Sequence, residues 1–209
     1  MTETRKSIRK QNLHSFKRQK ILDAAAVLFR SRGMEGTTMR AIAADAGYST
    51  GAPYVYFQSK EDIYAELLGA SLTHLGKFVK AATMTATSPQ EQARAAFEAY
   101  FTYYLQHAED LQLGLYLFSS GEVKGRGFSE ETNRQLNGKM MTVLGHMANS
   151  LHRIDGVTPR QAQQETLDAV SHISGILLLE LTGRLSIFGS NAQEMIDRYM
   201  GQMLKRLRT

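Results

Sequence analysis

The sequence contains no cysteine and only three prolines. Without thiols the chain forms no disulfide and no thiolate metal site, which fits a reducing compartment. Three prolines in 209 residues leave little to interrupt helices, and alternating apolar/polar runs that would build strands are scarce. No stretch reaches the ~18 consecutive apolar residues of a membrane span. The polar, charged N-terminal stretch lacks the apolar segment of a secretory signal. The expectation is an all-α, cytoplasmic chain, organised as one compact module or two small ones sharing a core. Catalytic spacings are also missing. The six histidines are never three or four residues apart, so no pair makes a metal site on one helix face. There is no glycine-rich phosphate loop and no nucleophile motif. No enzyme activity, cofactor or metal is therefore expected, and His146 and His172 read as hydrogen-bonding groups of a core or pocket.

What the chain does have is charge in one place. Residues 1–62 hold 11 Lys/Arg against 6 Asp/Glu, while residues 63–209 hold 14 of each. The whole excess of +5 sits in the first third. A phosphate backbone rewards such an excess through counterion release. A solvated basic tail of Arg5, Lys6, Arg9, Lys10, Lys17, Arg18 and Lys20 is the competing explanation.

Periodicity and caps divide the chain into helices. Residues 1–15 have few apolar positions and no period, and are expected to be a flexible basic arm. A first helix begins near Phe16, with Ile21, Ala25, Leu28 and Phe29 on one face, and ends at Gly33. Thr37 or Thr38 caps a short second helix through Ala46. Gly47 breaks it, and Ser49 opens a third helix that tolerates Pro53 in its first turn. Ser59 caps a fourth, with Glu61 and Asp62 favoured at its positive end. Longer helices are expected over about residues 60–82, 89–107, 110–119 and 129–153. Residues 121–127 read as a glycine-rich loop. Thr158 caps a helix running to about Ile187, Gly189 and Ser190 break it, and a last helix covers about 191–207.

Residues 37–57 carry the most information. Two short helices meet at a tight turn, where Ile42, Ala43 and Ala46 face inward and Gly47 supplies positive φ. Small Thr50, Gly51 and Ala52 keep the leading end of the next helix slim enough for a DNA major groove. Tyr54 and Tyr56 offer hydroxyls within reach of phosphates. A structural role in the core is the alternative for Tyr54 and Phe57.

This segment resembles the DNA-binding domain of the TetR family of transcriptional regulators. The resemblance rests on residues 21–25, Leu28-Phe29, residues 33–38, Ile42-Ala43, Ala46-Gly47 and the run from Gly51 to Ile63. It implies that Ser49, Thr50, Ala52 and Pro53 meet base edges, that Tyr54 and Tyr56 touch the backbone, and that Lys60 holds a phosphate. Thr38 and Arg40 would open the second helix beside the DNA. Two positions depart from the pattern. Tyr48 stands where a small aliphatic residue is usual, and Pro53 cannot hydrogen-bond a base. Readout at Ala52 and Pro53 would then be apolar, as toward a thymine methyl.

The remaining residues read as control elements. One helix-turn-helix binds DNA loosely, so a dimer on a palindrome is expected. The penultimate helix is apolar nearly all round through Ile173, Ile176, Leu177, Leu178, Leu179 and Leu181, with Gly175 and Gly183 permitting close approach. In the last helix Ile196, Met200, Met203 and Leu207 form a seam. TetR-like proteins pair through their last two helices, so Leu178, Leu181, Ile196, Met200, Met203 and Leu207 are the expected dimer contacts. A purely intramolecular core is the alternative. Tyr100, Tyr103, Tyr104, Tyr116, Met140, Leu144, Met147, His172 and Ile176 outline a chamber for a largely apolar effector, or else a filled core. The resulting expectation places a flexible arm at 1–15, a three-helix DNA-binding bundle at 16–62 and a helical ligand-binding and dimerisation domain at 63–209. Its partners are double-stranded DNA at a palindromic operator, a small-molecule effector and a second copy. The expected function is a ligand-released repressor. An activator or co-repressor-dependent regulator, or a ligand-free architectural DNA-binding protein, are the alternatives.

Overall fold

The computed structural model describes residues 2–119 and 128–207, with side chains from 5 to 115 and from 128 to 207. The expected loop at 121–127 and the side chain of Tyr116 lie outside the described residues. All regular structure among the described residues is helical. The helices are α1 (Thr2–Arg32), α2 (Met39–Asp45), α3 (Lys60–Thr83), α4 (Pro89–Gln106), α5 (Ala108–Ser119), α6 (Glu130–His152), α7 (Pro159–Leu181), α8 (Arg184–Ile187) and α9 (Ala192–Arg206). Two compact units result: residues 1–70 with 119–133, and residues 71–118 with 134–209.

Helix α1 starts at Thr2, so the first helix does not wait for Phe16. Residues 5–16 are exposed and bury no face, which is why they show no apolar period. They contain no Gly or Pro, and their Arg, Lys, Gln and Leu residues lose little rotamer freedom in a helix. Farther along α1, Ile21, Ala25, Leu28 and Phe29 are buried together with Ile42, Phe57, Ile63 and Tyr64 of the same unit.

Local signals set most helix starts in the larger unit. Ser88 and Glu91 form a reciprocal capping box ahead of α4, and Thr158 and Gln161 form another ahead of α7. Both helices place Pro at the first turn, where a missing N–H costs nothing. Asn191 caps α9 by accepting from Glu194 N–H. Helix α7 ends at Leu181, short of Ile187. Gly183 takes φ 68°, a left-handed conformation that terminates a helix and that other residues adopt at a cost. Gly183 is thus a stop signal and not a site of close packing. At Gly175 a Cβ would meet nothing within 4 Å, so that glycine likewise serves no close contact within the chain.

The core of the larger unit corrects two expectations. Ile196, Met200 and Met203 are 0% exposed and pack with Phe97, Tyr100, Ile173 and Leu177 of the same chain. Leu207 is half-buried against that core. The seam of α9 is real, but its partner is intramolecular. Each such side chain gains about 1.5–3 kcal/mol from burial, enough to exclude it from a docking surface. The expected chamber is likewise largely filled. Tyr100, Tyr103, Tyr104, Met147 and Ile176 are all buried in the core. The ring centroids of Tyr100 and Tyr104 are 5.0 Å apart, and those of Tyr103 and Tyr104 are 5.5 Å apart. Burial raises the pKa of all three phenols, so their hydroxyls stay protonated. Tyr103 donates to the Asp110 carboxylate. Met140 and Leu144 are only half-buried. His172 is exposed, and its ring stacks on that of Tyr199 with centroids 4.3 Å apart.

Met200→Ala removes a buried side chain and leaves a cavity. It is expected to lower unfolding free energy by about 2–5 kcal/mol in a denaturant titration. The same change at exposed Gln202 is expected to stay within about 0.5 kcal/mol.

Candidate nucleic-acid interface

The interface is built on the first unit. Thr38 accepts from Ala41 N–H and caps α2 from an extended conformation (φ −120°, ψ 155°). Its hydroxyl therefore serves the helix end, while Arg40 beside it is exposed. Helix α2 buries Met39, Ile42 and Ala43, which fixes the face that Arg40 presents to solvent. The chain then turns at Gly47 with φ 75°, and Tyr48 N–H closes the turn on Ala43 C=O at 2.8 Å.

The segment expected to form a third helix is tighter and shorter. Only Pro53–Val55 is regular, as a single 3-10 turn. Pro53 has no N–H to donate back to Ser49 C=O, so the α-ladder cannot run through it. The turn is held by Ala52 N–H on Ser49 C=O at 2.9 Å, and by Tyr56 and Phe57 N–H on Pro53 C=O at 2.9 and 3.0 Å.

This geometry re-sorts the expected contacts. Ser49, Thr50 and Gly51 are exposed, and Ala52 is half-buried. Pro53 is buried, so its ring faces the module and not a base, contrary to the expected apolar readout at that position. Val55, which the sequence pattern did not single out, is instead 71% exposed beside Tyr54 at 57%. Tyr56 is half-buried, with its ring 4.6 Å from that of His14 on α1. Phe57 is buried, as a core aromatic.

Lys60 is also re-assigned in part. Its ammonium donates to Met34 C=O at 2.8 Å, tying the start of α3 to the loop after α1. Two N–H donors remain for an anion. Asp62 completes the helix start by accepting from Gln58 and Ser59 N–H at 3.1 Å, while Ser59 Oγ accepts from Asp62 N–H.

Arg18 is the residue that sequence reasoning counted only as charge. Its guanidinium forms a two-pronged pair with the Glu66 carboxylate of α3 and lies 4.8 Å from the Phe57 ring centroid. Only a guanidinium supplies a planar fork and a stacking face at once. Of the remaining cations of α1, Arg5, Lys6, Arg9, Lys10, Lys20, Arg30 and Arg32 are exposed and Lys17 is half-buried. The unit thus presents small, polar and aromatic side chains on a rigid turn, flanked by cations: a helix-turn-helix of the DNA-binding class.

Comparison with known proteins agrees. Residues 21–67 match the family model described as bacterial regulatory proteins, tetR family. Over that segment the chain resembles the TetR family. It is 39% identical over 85 residues to the HTH-type transcriptional repressor KstR2 of Mycolicibacterium smegmatis, covering 41% of this chain and 42% of that one. It is 34% identical over 87 residues to the HTH-type transcriptional activator FasR of the same species, covering 42% of this chain and 40% of that one. The matched part thus spans about two fifths of these relatives' length. In structure, the fold resembles the TetR-family regulator PfmR from Thermus thermophilus with a TM-score of 0.67. That match has 21% identity and covers 88% of this chain and 97% of that one.

Thr38→Ala removes the α2 cap and is expected to cost about 1 kcal/mol in thermal or denaturant unfolding. Val55→Ser, at an exposed position, is expected to leave stability within about 0.5 kcal/mol.

Proposed function

We propose that this chain is a ligand-responsive transcriptional repressor that binds a palindromic operator as a homodimer and is released by a small, largely apolar effector. The observation that carries the DNA-binding part is the exposed turn of residues 49–56, with Tyr54 and Val55 outward, held on the buried face of Pro53 and Phe57. A surface preorganised this way loses little freedom on binding. In this reading Ser49, Thr50, Ala52 and Val55 meet base edges, and Arg40, Tyr54, Tyr56 and Lys60 engage phosphates. The exposed cations of α1 add sequence-independent attraction.

The effector part has a different support. The tyrosines of the larger unit are buried in its core, so an effector reaching them would displace side chains. Ligand entry and conformational change are then one event, which is what a switch requires. Ser71 Oγ, buried without a partner among the described residues, offers a polar handle beside Tyr103, whose hydroxyl donates to Ser71 C=O. Helix α3 links the two processes, because it starts with Lys60 and continues to Thr83. Relatives named as a repressor and as an activator leave the sign of regulation to experiment.

A palindromic fragment from the chain's own upstream region is expected to be retarded in a gel and released by one member of a metabolite panel. Arg40→Ala with Tyr54→Ala is expected to weaken retardation at least tenfold and to flatten the salt dependence by about one unit for each phosphate no longer engaged. Unchanged affinity at physiological salt would overturn the assigned surface. Binding indifferent to sequence would instead favour an architectural protein. Tightening by the same ligand would make it a co-repressor.

A further inference from the structure

The outer turns of α1 carry charge of one sign. Between Glu3 and Asp23 there is no acidic residue, while Arg5, Lys6, Arg9, Lys10, Lys17, Arg18 and Lys20 all fall in that stretch. Arg18 is committed to Glu66. The others are exposed, apart from half-buried Lys17. Cations crowded near a helix N-terminus repel one another and the positive end of the helix dipole. Such a stretch weakens its own helix and gains from a partner with closely spaced negative charges.

The outer turns are also tied to the DNA-reading surface. The His14 ring centroid lies 4.6 Å from that of Tyr56, in the turn of residues 49–56. Lys6, Lys10, His14 and Lys17 follow at spacings of four, four and three, so they form one row along the helix. The row runs outward from Tyr56, and Lys6 stands roughly 12 Å beyond His14 at about 1.5 Å per residue. Phosphates recur about every 3.4 Å along each strand of a duplex, so this reach spans roughly three or four base pairs. An anionic membrane surface would require an apolar stripe as well. Ile8, Leu13 and Phe16 are five and three residues apart, with Arg9 and Asn12 between them. The Lys20 ammonium lies 5.6 Å from the Phe16 ring centroid. These side chains make no such stripe, and the charge row suits a duplex.

We infer that residues 5–17 of α1 are a preformed helical rail for duplex DNA, holding phosphates beyond the reach of the turn of residues 49–56. The inference rests on the DNA-binding reading proposed above. It goes further than diffuse attraction, because it requires the helix to be intact and places the contacts in DNA flanking the sequence that is read. A segment already helical loses less freedom on binding than a flexible arm would.

The probe is a duplex selected by the full chain from a random-sequence pool. It is used with its flanks and with about four base pairs trimmed from each end. One variant of the full chain combines Arg5→Gln, Lys6→Gln, Arg9→Gln and Lys10→Gln, which removes charge and keeps good helix formers. The other, Asn12→Pro, keeps every cation and breaks the outer turns from the rest of α1. All five positions are exposed, so thermal unfolding is expected to change little. Each variant is expected to bind the flanked duplex at least tenfold more weakly than the unaltered chain. Trimming is expected to weaken the unaltered chain to the same degree and to leave both variants unaffected. The Gln variant is also expected to flatten the salt dependence by about 0.9 for each phosphate no longer held. Full affinity in the Gln variant would overturn the rail. Full affinity in Asn12→Pro alone would show a flexible tail and would overturn it too. A loss in both variants that trimming does not reproduce would overturn the flanking placement. Failure of the selection to return a common sequence would count against the reading turn instead, with the same two variants still deciding the rail on the unselected pool.

Discussion

Arg18 holds three parts of the smaller unit together. Its fork grips Glu66 on α3, its plane lies near the Phe57 ring at the end of the reading turn, and its backbone belongs to α1. An ion pair this exposed contributes about 0–1 kcal/mol, so stability is not its main effect. Its consequence is geometric. The turn of residues 49–57 has little regular structure of its own, and its direction is set by what Phe57 and Pro53 rest on. Lys60 supplies the second tie through Met34 C=O. Two cations that counted as DNA-binding charge thereby act as struts.

Much of the fold is legible from local chemistry. Thr38, Ser59, Thr158 and Asn191 mark helix starts, because a side-chain oxygen at the right spacing satisfies a free N–H whatever the tertiary context. The start of α1 is not legible that way, since a fully solvated helical segment buries no face and writes no period. The end of α7 is ambiguous for another reason. Gly175 and Gly183 look alike in sequence, yet only Gly183 adopts positive φ.

The site is legible in its position and less so in its detail. The order of glycines and aromatics locates residues 47–57, but burial inside so short a segment is decided by a few degrees of backbone. Pro53 and Val55 exchange the roles their types suggest: the ring goes in and the valine goes out. Periodicity has a matching limit in α9. A 4-3-4 apolar seam states that something covers Ile196, Met200, Met203 and Leu207, and it does not state whether the cover is the same chain. The structure assigns it to the same chain and leaves the uncovered apolar face to α7.

On the proposed reading, an interface built on one 3-10 turn has an informational consequence. Two or three outward side chains interrogate only a few base pairs, whereas a bacterial chromosome offers at least about 10⁶ competing registers. A single module of this size would therefore be occupied almost everywhere and nowhere in particular. On the proposed reading, selectivity lies in the distance between two such turns, held constant by whatever fastens the two copies. The fastening between the copies then works as a ruler, and loosening it would blur the address before it weakened the grip.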